Sequence, residues 1–150
     1  MVPIDYYPTL EEAKQKSNKY DIGRFLAVDG NCFELGKVAS IGEVVGFRQP
    51  IHGEIVQVHL GWSSTTVRCK ISFVAGTCHF QNKQTKYYAN IDQIITLEGI
   101  GHPGDSGSLV IAESDRKVVG IVSYGPKYDE PKEALIDIFY ATCIPPSYYE

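Results

Sequence analysis

The sequence predicts an all-β fold, an antiparallel barrel or sandwich preceded by one short helix. Short apolar and β-branched runs recur from Asp21 onward, broken by Gly, Pro and Asn. Two of these runs alternate in the manner of half-buried strands. The first twenty residues differ, carrying a helix-start signal. A chain of 150 residues, 43% hydrophobic and 21% charged, is long enough to bury one core and too apolar to be globally disordered.

The elements follow in order. In PTLEEAKQKSNKY, Thr9 precedes Glu12 by the spacing of a capping box, which predicts a mostly polar helix from Leu10 to Asn18. Residues 1–20 therefore form a helical segment of their own, and 21–150 the β domain. RFLAV reads as a strand before the turn DGN. EIVQVHL alternates, with Ile55, Val56, Val58 and Leu60 making most of one face. TVRCKISFV puts Val67, Cys69, Ile71 and Phe73 on one side and Arg68, Lys70 and Ser72 on the other. QIITL, SLVIA, KVVGIVSYG and ALIDIFYATCI complete seven or eight strands. The closing CIPPSYYE reads as an exposed tail, since its two prolines cannot continue a central strand.

Charge and composition narrow the function. A net charge of −4 offers no broad cationic face, so nucleic acid is not an expected partner. No apolar run reaches membrane-spanning length, and MVPIDYYPTLEEAKQ is too polar for a signal peptide. The chain is then either cytoplasmic or preceded by a segment carrying the signal. None of Cys32, Cys69, Cys78 and Cys143 lies in a C-x-x-C pair, which argues against structural zinc. Cys69 and Cys78 flank KISFVAGT, which allows either a bridge between two hairpin arms or free buried thiols. No carboxylate cluster has calcium-loop spacing and no Gly-rich segment has a nucleotide-binding context, so no metal or organic cofactor is expected.

The chemistry concentrates in GHPGDSGSLV, residues 101–110. A serine hydroxyl becomes a nucleophile when a base takes its proton and N–H groups stabilise the oxyanion. Glycines around Ser106 free the backbone for that second task. The plain alternative is a turn between strands, for which Gly, Asp and Ser are all suited.

Together, PGDSGSLV and the later VVGIVSYG resemble the active-site strand pair of the chymotrypsin/trypsin-like serine peptidases. That resemblance covers roughly residues 21–144 and implies a chymotrypsin-like barrel, the second of the family's two plus part of the first. It implies Ser106 as nucleophile, with the N–H groups of Gly104 and Ser106 as oxyanion hole. Asp105 would hold the turn. Ser123, Tyr124 and Gly125 would form the edge on which a peptide substrate pairs as an added strand. Ile100, six residues before the serine, would floor the specificity pocket and favour apolar side chains. Asp21, in YDIGRFLAV, matches the acid that orients the catalytic histidine. A peptide or protein substrate and an extracellular setting follow from the same resemblance.

The pattern breaks at the histidine. The family places it before the acid, whereas His52, His59, His79 and His102 all follow Asp21. By context His52 reads as a loop residue, His59 as an edge-strand residue, His79 as part of a hairpin and His102 as lining the loop entrance. The chain is accordingly a serine endopeptidase completed by residues elsewhere, a shortened member using another base, or a protease-like module that binds peptides without cutting. An unrelated β-sandwich with a fortuitous turn is the remaining reading.

Overall fold

The computed structural model describes residues 4–20, 37–38, 40–61, 64–82, 84–99, 106–124 and 138–149. RFLAV, the DGN turn and Cys32 lie outside these residues. Among the described residues there are nine strands: β1 (Lys37–Val38), β2 (Gly42–Glu43), β3 (Gly46–Phe47), β4 (Ile55–Leu60), β5 (Thr65–Gln81), β6 (Tyr88–Glu98), β7 (Leu109–Ala112), β8 (Lys117–Tyr124) and β9 (Ile138–Cys143). One helix, α1 (Leu10–Gln15), precedes them, and a 3-10 turn at Pro146–Tyr148 follows.

β1 and β2 form a small hairpin. The main sheet runs β3-β8-β7-β4-β5-β6-β9, and β8 also pairs with β9. That last pairing brings β9 back to β8, so the six strands from β4 to β9 close on themselves, every neighbour antiparallel. β3 adds to the outside of this ring, parallel to β8. Closure removes the open edges that would otherwise invite pairing between chains.

Alternation builds the interior. In β4, Val56, Val58 and Leu60 are buried inside, while Ile55, expected with them, is exposed, because it stands one residue off that alternation. In β5, Cys69 and Ile71 point inward as predicted, but Phe73 is 66% exposed. The pairing of β5 with β6 shifts between Ile71 and Phe73, again before Gly76, and again before Cys78. Each shift resets which side chains face the core. Ala75 and Gln93 adopt left-handed backbone angles at these irregularities (φ 55° and 57°). Cys69 and Cys78 consequently stand on one continuous strand, not on two arms of a hairpin, and Cys69, Cys78 and Cys143 are free thiols. Burial pushes the Cys69 thiol up to about 11.

A second apolar layer lies outside the ring. Ile41, Ile111, Val118 and Ile144 cluster there beneath Val38, Val44, Tyr148 and Tyr149. The C-terminal residues are therefore not an exposed tail. β9 ends before Pro145 as proline requires, but Ile144 is 1% exposed, Tyr148 meets Phe47 edge-on at 6.1 Å, and the Tyr149 hydroxyl donates to Ile144 O.

The N-terminal helix is shorter than its sequence pattern. Thr9 Oγ1 accepts from Glu12 N at 3.2 Å, as the capping spacing predicts. The helix ends at Gln15 because Asn18 is drawn into β6: its N donates to Asn90 O, and its O accepts from Asp92 N. Its side chain also holds Asp5 N and Asp5 O. Tyr7 pairs with Tyr88, so residues 7–18 cover the half of β6 that β9 does not reach.

One ion cluster ties the outer layer together. Arg48, 19% exposed, makes a two-pronged contact with Glu54 (2.7 and 3.0 Å) and reaches Asp115 at 2.8 Å. This staples the β3–β4 connection to the β7–β8 turn, and the guanidinium holds the Asp115 carboxyl below its ordinary range.

Three outcomes are expected. Gly120 has no room for a Cβ, which would lie 2.8 Å from Ile95 Cδ1 and 2.9 Å from Thr142 O. Gly120→Ala should cost about 1–3 kcal/mol in urea unfolding, the range for overpacking a core. Arg48→Met should cost about 2–3 kcal/mol, because it strands the half-buried Glu54 carboxylate. Because the folded state depresses the Asp115 pKa, its contribution is complete above the ordinary carboxylate range and is lost as pH falls through the depressed value. Melting temperatures of wild type and Asp115→Asn should therefore converge on acidification.

Candidate active site

The turn before β7 and the end of β8 build the site. β7 and β8 form a hairpin in the register Leu109↔Ile121. Beyond that pair the chain before β7 continues to bond β8: Gly107 N donates to Val122 O and Val122 N to Ser108 O, each at 2.8 Å. Gly107 makes this turn with φ +93°, a conformation that side-chain-bearing residues avoid. No atom lies within 4 Å of where its Cβ would stand, so the requirement for glycine here comes from the backbone and not from crowding.

Ser106 is exposed at the tip of this turn, and its Oγ donates to Ser123 O at 2.8 Å. Ser108, two residues on, anchors the turn from the other side, its Oγ accepting from Gly61 N at 3.3 Å. The N–H of Gly107 is committed to Val122 O.

The predicted residues separate accordingly. Ser106 and Ser123 are brought into direct contact. Tyr124 follows on β8, where it pairs with Tyr140 of β9 after a register shift. At Tyr124, therefore, β8 is already paired on its β9 side. Asp21, Ile100, Gly104, Asp105 and Gly125 lie outside the described residues, as does His102.

The histidines are dispersed. His52 is exposed in the turn before β4. His59 is not on an edge strand, because β4 runs between β5 and β7; its Nδ1 lies 3.1 Å from Thr66 Oγ1. His79 is exposed on β5, opposite Asn90. Among the described residues, none of these rings hydrogen-bonds Ser106. No group of three or more His, Cys, Asp or Glu side chains converges as a metal site among those residues, and no helix there is long and apolar enough to cross a membrane. A cavity of about 130 Å³ opens between Tyr20, Gln93, Cys143 and Tyr149, and neither Ser106 nor Ser123 lines it.

Sequence reading missed two contributors. Ser108 was unremarked in SGSLV, and only the register of β4 against β7 reveals its bond to Gly61. The acceptor role of the Ser123 carbonyl has no side-chain signature. No protein-family model matches the chain, and no curated protein matches it.

Gly107→Ala should cost about 1–2 kcal/mol from backbone strain alone. Because space is open there, the variant should fold, with amide shifts concentrated at 106–108 and 122–123 in a nitrogen–proton correlation spectrum. A spectrum unchanged at those positions would contradict the left-handed turn.

Proposed function

We propose that the chain is a serine endopeptidase of the chymotrypsin-like kind, forming an acyl-enzyme on Ser106. One observation carries this reading: residues 106–110 and 120–123, the described parts of the two motifs, meet in a single hairpin, with the Ser106 hydroxyl 2.8 Å from Ser123 O. A closed antiparallel barrel, with an exposed serine beside a glycine of positive φ, supports it further.

In the proposed reaction Ser106 Oγ bonds to the carbonyl carbon of a peptide. The C–N bond breaks, and a base carries the hydroxyl proton to the leaving amine; water then releases the acid. The N–H groups of Ser106 and Gly104 would stabilise the oxyanion, and Asp21 would orient the base. Ile100 would floor an apolar pocket, and Ser123 to Gly125 would pair with the substrate backbone. The proposal uses no metal or organic cofactor.

A second reading, a protease-like module that binds extended peptides without cutting them, has its own support. The Ser106 proton is donated to a carbonyl oxygen, which is no base, and no described histidine bonds the hydroxyl. Without its base such a site keeps only residual catalysis, several orders of magnitude down.

Intact-mass labelling of the folded chain with a fluorophosphonate separates the two. The peptidase reading expects one adduct that disappears in Ser106→Ala. A folded chain that takes up no adduct, yet retains extended peptides, would establish the binding module instead.

A further inference from the structure

We propose that the hydrogen bond from Ser106 Oγ to Ser123 O is an autoinhibitory latch, opened when an extended peptide takes over the Ser123 carbonyl. The inference rests on Ser106 being the nucleophile and adds a regulation of that same site.

The geometry that motivates it is a break in strand regularity. Along an ordinary strand successive carbonyls point to opposite sides. Here Val122 O and Ser123 O, adjacent on β8, both accept from one turn: the first from Gly107 N, the second from Ser106 Oγ. The pairing of β8 with β9 shifts between Val122 and Tyr124, so Ser123 stands at an irregularity of the kind that re-aims a backbone group. The result is a carbonyl turned onto the proposed nucleophile.

Chemistry makes that contact inhibitory. A serine hydroxyl has one proton. While Ser123 O holds it, the proton is directed away from any base and the side chain is confined to one rotamer. An ordinary neutral hydrogen bond of this kind withholds roughly two-thirds to nine-tenths of the competent population, a factor of about two to ten. An extended peptide supplies backbone N–H groups, which are the donors a strand carbonyl ordinarily takes. Ser106 is exposed, so a peptide can reach the contact. Its N–H would replace the hydroxyl at Ser123 O, and the freed hydroxyl could turn to a base. Substrate backbone and nucleophile are thus coupled through one oxygen atom.

Two measurements on the intact chain test the latch. First, the carbonyl carbon shift of Ser123 should move upfield in Ser106→Ala, whose methyl group donates nothing; an unmoved shift overturns the proposal. Second, fluorophosphonate labelling of wild type should accelerate several-fold, up to about tenfold, with an N-acetylated, C-amidated Val-Thr-Val-Thr-Val peptide at saturation by the shifts of the β8 amides. A peptide that shifts no β8 amide, or one that binds and leaves labelling unchanged, overturns the latch while the labelling itself upholds the nucleophile. Failure to label with or without bound peptide refutes the nucleophile and the latch together, and the Ser106–Ser123 bond is then a turn contact.

Discussion

The pairing of β8 with β9 is the constraint on which the rest of this structure depends. Gly120 to Tyr124 lie against Cys143 to Tyr140, and that contact turns an open sheet into a ring. The approach is possible because Gly120 has no side chain, since Thr142 O and Ile95 Cδ1 occupy the place a Cβ would need. With the ring closed, Val119 and Val122 of β8 face the same interior as Phe139 and Ala141 of β9. Val118 is left outside, where the C-terminal residues cover it. The two apolar layers therefore depend on one seam.

That seam also positions the candidate site. β8 is shared between closure and the hairpin with β7, and its irregularity beyond Val122 lies where the Ser106 turn meets it. Ser106 is held by the bond from its Oγ to Ser123 O, and the residues after it by Gly107 N to Val122 O and Val122 N to Ser108 O. Ser108 adds a tether to β4, which ties the turn to two neighbouring strands at once.

The N-terminal segment solves a different problem. β6 is longer than the part that β9 covers, and the remaining half would present unpaired backbone. Tyr7 and Asn18 pair with that half, and α1 spans the distance between them. The helix is thus a connector whose length is limited by the strand positions at its two ends. Asn90, 4% exposed, donates its amide to Ser17 Oγ within this join, so the contact is polar as well as backbone-paired.

Local pattern was enough for much of this. The all-β class, the Thr9 cap, the inward faces of β4 and of early β5, and the end of β9 before Pro145 all follow from side-chain period, capping chemistry and the missing proline N–H, which act within a few residues. The need for glycine at 107 was legible for the same reason. Three features were not: Phe73 facing solvent, Cys69 and Cys78 sharing a strand, and His59 lying inside the sheet. Each depends on which strand lies alongside and in what register, and a bulge can reverse a face without leaving a mark in the alternation. The burial of Ile144, Tyr148 and Tyr149 belongs with them, because it depends on a partner surface made by residues a hundred positions away. So does the meeting of Ser106 with the Ser123 carbonyl, since a main-chain oxygen has no residue code. Sequence alone determined which segments become strands, because alternation and turn chemistry act locally; the closure of the ring decided what each of them faces.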